Sequence, residues 1–120
     1  MIVDDLGMEP DVGKPSDLIQ GTLDLLILNT LTRGPLHGWA ISKRITEMSD
    51  DVLSVGQGSL YPALQRLEHQ GWITARWRAS ETGREAKFYS LTADGRTQLE
   101  RELETWKRLS SAVGLALKRA

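Results

Sequence analysis

Between residues 18 and 33 the chain reads LIQGTLDLLILNTLTR, apolar on most sides, a pattern that predicts a buried central helix. Ser16 or Asp17 is placed to cap its start, and Gly34-Pro35 to stop it. In the next stretch, Gly38 to Met48, Ile41, Ile45 and Met48 recur at helical spacing while Lys43, Arg44 and Glu47 turn outward, so a short amphipathic helix is expected. The turn-forming SDD at 49–51 and the glycines at 56 and 58 follow. Ser59 can then cap a third helix with Pro62 in its first turn and Leu60, Leu64 and Leu67 as its inner stripe.

Gly71 suits the C-terminal cap of that helix, and beyond it the apolar period shortens from about 3.6 to 2. In WITARWRA (72–79), Ile73, Ala75 and Trp77 alternate with Trp72, Thr74, Arg76 and Arg78; in AKFYSL (86–91), Ala86 and Phe88 alternate with Lys87 and Tyr89. With the polar, glycine-containing link SETGRE between them, the two segments predict a hairpin. Trp72 and Trp77 are expected to pack within it. Thr92 can cap a last helix running to about residue 118, with Leu99, Leu103, Trp106, Leu109, Val113 and Ala116 on one stripe. Such a helix is about 40 Å long.

Three helices and a hairpin in this order match the plan of a winged helix-turn-helix, so the fold class expected is mainly α with a small β-hairpin and a long C-terminal helix. The chain divides into a segment 1–17, a winged-helix domain 18–91 and a terminal helix 92–120. That helix outreaches a domain of about 13 Å radius, so Leu109 and Val113 need a partner. Together with Leu99, Leu103 and Trp106 they form the expected interface of a homodimer.

Composition narrows the classes further. The chain has 120 residues, 40% of them hydrophobic and 26% charged, as an ordinary globular protein does. Without cysteine there is no disulfide scaffold, cysteine-based zinc finger or cysteine nucleophile. No segment has the form of a signal peptide or a membrane span, so a cytoplasmic protein is expected. The net charge of −1 conceals an asymmetry: residues 1–17 hold five acids and one base, leaving fourteen bases against eleven acids in the rest. Between residues 56 and 90, five bases face three acids.

If Leu60, Leu64 and Leu67 face inward, Tyr61 and Gln65 form one exposed stripe of the third helix, and Pro62, Arg66 and His69 the next. Gln and Arg are the side chains that read adenine and guanine edges bidentately, while Ser59 and Tyr61 near the helix start suit phosphate oxygens. Arg78, Arg84 and Lys87 make the hairpin cationic, and Lys43 adds a charge from the second helix. No catalytic residue, metal site or cofactor is expected: histidines 37 and 69 have no second ligand at metal spacing, and VGQGS lacks the Gly-Lys-Ser/Thr of a phosphate loop. The acids form no catalytic pair. A winged helix that binds protein rather than DNA is the alternative class.

The blocks GTLDLLILNTLTRGPLHGWAI (21–41), GSLYPALQRLEHQGWI (58–73) and KFYSLTADGRTQLERELETW (87–106) closely resemble the PadR family of bacterial transcriptional regulators. The resemblance runs from residue 18 to about 110, with Trp39 in place of the family's usual tyrosine, a short wing, and a single terminal helix like that of the shorter subfamily. It implies a homodimeric winged-helix protein, commonly a repressor, that releases its double-stranded operator when an effector binds or a stress signal arrives. Two recognition helices related by a dyad predict an inverted-repeat operator. Trp106 occupies a position similar to that of the aromatic that stacks on flat hydrophobic effectors in some PadR-like dimers.

Overall fold

The computed structural model describes residues 20–120; the acidic segment 1–17 and the Ser16 or Asp17 cap lie outside the described residues. Helix α1 (Gln20–Thr30) continues into a single 3-10 turn, Leu31–Arg33. The short strand β1 (Leu36–His37) leads directly into α2 (Gly38–Met48), followed by α3 (Gln57–His69). Strands β2 (Ile73–Ala79) and β3 (Glu85–Leu91) form the hairpin, and α4 (Ala93–Arg119) ends the chain.

Helix α1 is the centre of the packing because its apolar residues point in several directions at once. Leu23, Leu25, Ile27, Leu28 and Leu31 are buried against Ile41 and Ile45 of α2, Leu60, Ala63, Leu64 and Leu67 of α3, and Leu99 of α4. At its C-terminal end the Thr30 hydroxyl donates to the carbonyl of Leu26 at 2.6 Å or of Ile27 at 2.9 Å, satisfying a buried polar group within its own turn.

Two elements depart from the sequence expectation. Helix α3 begins at Gln57 with Gly56 as its N-cap, and Ser59, within the helix, gives its own N–H to the Gly56 carbonyl at 3.1 Å. Pro62 therefore falls in the second turn, where the missing N–H leaves the Gly58 carbonyl without its usual helical donor. The hairpin also gains a third strand: β1 pairs antiparallel with β3, Leu36 opposite Tyr89 and His37 opposite Phe88. Two residues are too few for an alternating pattern to show in a sequence.

Register settles which side of the hairpin faces the helices. Ile73 opposes Leu91, Ala75 opposes Tyr89 and Trp77 opposes Lys87, and the first four of these residues pack on the core. Tyr89, not Phe88, is the inward aromatic of β3; Phe88 is on the outer face, where the Arg78 guanidinium covers its ring at 4.1 Å. Trp77 breaks the expectation of packing, for it is 63% exposed.

The joint between α3, the hairpin and α4 is tight. Gly71, with φ of 81°, ends α3: its N–H donates to Glu68 and that of Trp72 to Leu67, so the last carbonyls of the helix are satisfied. Thr92 caps α4 by accepting from the Gly95 N–H at 3.0 Å and in turn donates its hydroxyl proton to the Gly71 carbonyl at 2.7 Å. Of the residues expected at a dimer interface, Leu99 is buried in the core of its own chain and Leu103 is half-buried against it. Further along α4, Trp106, Leu109, Val113, Leu115 and Leu117 are exposed.

Candidate nucleic-acid interface

On α3 the buried leucines leave Tyr61, Gln65 and Glu68 on a common face, which looks across a groove to the inner side of the β2–β3 hairpin. The groove has a volume of about 950 Å³ and is bordered at one end by His37, Gly38 and Trp39. His37 is the N-cap of α2, its Nδ1 accepting from the Ala40 N–H at 3.2 Å. Its ring stands edge-on to Phe88, with centroids 5.3 Å apart.

Tyr61 rests on Gly38. A Cβ on Gly38 would lie 2.9 Å from the Tyr61 hydroxyl oxygen, so only glycine lets the phenol ring lie this close to the start of α2. The ring is still 44% exposed and lines the groove with Gln65 beside it. Beneath them Tyr89 is buried, and burial, with the Glu68 carboxylate and Tyr61 adding to it, holds its hydroxyl above the ordinary phenol range. It is a neutral packing element.

The cations sit around this groove more than inside it. Lys87 projects into it but is drawn to Glu68, Nζ to Oε1 3.7 Å, and Arg84 is exposed at the hairpin turn. Lys43 lies over the Trp39 ring at 4.9 Å, and Arg78 is on the outer face of the hairpin with Arg76, a residue the sequence reading passed over. Of the expected DNA-contacting residues, Tyr61, Gln65, Arg84 and Lys87 thus meet in the groove, Lys43 lies beside it over Trp39, and Arg78 is on the opposite face of the hairpin. Ser59 is half-buried in the first turn of α3.

Arg66 stands apart from that group. Its Nη2 is 2.6 Å from Oδ1 of Asp24 on α1, so the guanidinium expected to read bases is tied to the helix behind. Partial burial holds the Asp24 carboxyl above the usual carboxylate range, and Arg66, by charge and hydrogen bond, acts in the opposite sense. An acid whose pKa is raised on folding favours the folded state at low pH and loses that contribution as pH rises through the folded value. Removing Arg66 raises it further. Arg66→Ala should therefore lower the thermal midpoint more near about pH 7 than near about pH 4, where Asp24 is increasingly protonated. A loss that is the same at both pH values would show that the pair contributes nothing to the fold.

Trp39 and Trp77, 60% and 63% exposed, are among the groove residues that sequence reasoning did not assign to a site, as are Glu68, Glu81 and Glu85. Alternation placed Trp77 on the inner face, but there it borders the open groove instead of packing on α3. Among the described residues no three His, Asp or Glu side chains gather to hold a metal ion, and no helix is long and apolar enough to cross a membrane.

A helical core with an exposed helix face set beside a β-hairpin defines the winged helix-turn-helix class of protein. The sequence profile of the PadR-like family of transcriptional regulators matches residues 27–101. The chain belongs to that family, whose members are DNA-binding regulators of transcription and not enzymes. A PadR-like transcriptional regulator from Bacillus cereus superposes with a TM-score of 0.72 at 28% identity, covering 84% of this chain and 96% of that one. For a transcriptional regulator from Clostridium thermocellum the TM-score is 0.75 at 30% identity, over 82% and 95% of the two chains. The negative transcriptional regulator PadR of Bacillus subtilis is 34% identical over 77 residues, which cover 64% of this chain but only 42% of that protein.

Proposed function

We propose that the chain acts as a homodimeric repressor, with α3 entering the major groove of an inverted-repeat operator and the hairpin holding the adjacent backbone. The observation that carries this reading is the exposed Tyr61–Gln65 face of α3, which shares a groove with Arg84 and Lys87 of the hairpin, while Arg76 and Arg78 line the hairpin's outer face. Gln65 offers an amide that can pair bidentately with adenine, and the arginines offer charge to phosphates. Arg66 supports α3 from behind through Asp24.

In this reading the partner chain covers Trp106, Leu109 and Val113, which border or continue a groove of about 500 Å³ between α1 and α4. A flat hydrophobic effector entering beside Trp106 changes the spacing of the two recognition helices and so loosens the operator.

Selection from a random duplex library tests the assignment. The expected operator is an inverted repeat with half-sites about 10 base pairs apart or a multiple of it. By fluorescence anisotropy, Gln65→Ala should lose about 1–3 kcal/mol on that site and relax preference at one base. Arg84→Ala should weaken every duplex alike and flatten the salt dependence by about one counterion. Unchanged operator affinity and sequence preference in Gln65→Ala would remove α3 from base reading, and salt-insensitive binding to random duplex would favour a protein partner over DNA.

A further inference from the structure

The groove between α3 and the hairpin carries more aromatic surface and less positive charge than phosphate contact alone would call for. Two indoles, Trp39 and Trp77, are each about three-fifths exposed along it, and Tyr61 adds a third ring. A chain of this size gains from burying such rings, and here three border one concavity whose volume, about 950 Å³, falls within the range of small-molecule sites. The charges are also unusual. Lys87 and Glu68 neutralise each other at 3.7 Å, leaving Glu81, Glu85 and Arg84, a net negative set. Among the described residues neither Glu81 nor Glu85 pairs with a cation.

Electron-rich ring faces beside unpaired carboxylates attract flat or quaternary organic cations, through cation–π contact, stacking and direct charge complementarity. One face of the Trp39 indole is already taken by the Lys43 ammonium, 4.9 Å from the ring centre. An incoming cation must therefore stack on the remaining exposed indole surface and on Trp77, beside Glu81 and Glu85. Anionic ligands would meet Glu81 and Glu85, and neutral aromatics would gain only the stacking.

We propose that this groove is a binding site for a flat organic cation, held against Trp39 and Trp77 and balanced by Glu81 and Glu85, and that ligand and duplex compete for it. The competition rests on the DNA-binding reading above; the site itself does not. Because Tyr61 and Gln65 line the same cavity, a bound ligand occupies the space a base edge would enter, and release follows within one chain without a change at the dimer interface.

The test is titration of nitrogen-15-labelled protein with N-methylquinolinium, neutral quinoline and naphthoate near neutral pH, following the indole N–H signals assigned through Trp39→Phe and Trp77→Phe. N-methylquinolinium should shift the Trp39 and Trp77 signals saturably and leave Trp72 and Trp106 in place. Quinoline should bind about tenfold more weakly and naphthoate more weakly still, and Glu81→Gln combined with Glu85→Gln should remove most of the preference for the cation. Shifts confined to Trp106, or equal binding of all three probes, would overturn the site. Addition of duplex should reverse the Trp39 and Trp77 shifts. If the indoles shift but the cation and duplex bind together, competition is overturned while the site stands. A chain that binds no duplex removes the DNA reading, and the indole shifts still decide the site.

Discussion

Gly95→Ala is expected to lower the thermal midpoint by roughly 10 °C or more, equivalent to about 3 kcal/mol in a domain of this size. A Cβ built on Gly95 would lie 2.0 Å from the carbonyl oxygen of Trp72, with the Leu91 side chain at 2.8 Å. The first obstacle is backbone, held by the Thr92 N–H that donates to it at 3.1 Å, and cannot turn aside as a side-chain end would. Relief requires α4 to move off the hairpin, which would also pull Leu99 from the core and break the Thr92 cap. Gly114→Ala on the same helix supplies the contrast: nothing lies within 4 Å of its Cβ, so the substitution should stabilise the helix by up to about 1 kcal/mol. Thermal melts followed by circular dichroism at one protein concentration check both. A Gly95→Ala midpoint within a degree or two of wild type would mean that the joint is far more pliable than its geometry.

The second large effect is expected at the other end of α4. Leu109→Asp combined with Val113→Asp should give a monomer by light scattering and reduce affinity for a two-half-site operator by a factor of about 10²–10⁴. Leu109 and Val113 are 54% and 48% exposed in a single chain and lie outside its core, so a charge there disrupts little intrachain packing. What is lost is the tethering of one half-site contact to the other, and affinity for an isolated half-site should be nearly unchanged. Leu99→Ala acts differently, because Leu99 belongs to the core of its own chain and its removal lowers stability before it alters assembly. A double variant that remained a dimer with full operator affinity would place the interface elsewhere.

Much of this architecture is legible in the residues because its signals are local. Thr92 as a cap, Gly71 as a helix stop, the inner stripe Leu60–Leu64–Leu67 and the length of α4 each follow from side-chain chemistry within a turn or two. The missed features either leave no side-chain signal or depend on distant partners. The start of α3 at Gln57 rests on Gly56, which supplies no side-chain cap. Strand β1 exists only because β3 passes beside Leu36 and His37.

The candidate site divides along the same line. Periodicity exposes Tyr61 and Gln65, but Arg66, one residue on, is diverted by Asp24, 42 positions earlier in the chain. For the indoles, alternation assigns Trp77 a face; whether anything covers that face depends on how closely α3 approaches the hairpin. On α4 a single apolar stripe serves two purposes, its first part closing the domain at Leu99 and Leu103 and its second open at Trp106, Leu109 and Val113. The sequence pattern has no mark where one role gives way to the other.

The Thr92 hydroxyl, bonded to the Gly95 amide of one helix and the Gly71 carbonyl ending the other, makes a rigid elbow between α3 and α4. Helix α4 is then a lever arm of about 40 Å fixed to the reading head. Because the elbow is rigid, turning the arm by about ten degrees about its far end would carry the head through roughly 7 Å, close to the rise of two base pairs. If two such chains join at their arms, as the proposed dimer requires, the angle at which the arms cross sets the gauge between the two heads, as the hinge of a pair of calipers sets the gap between its jaws.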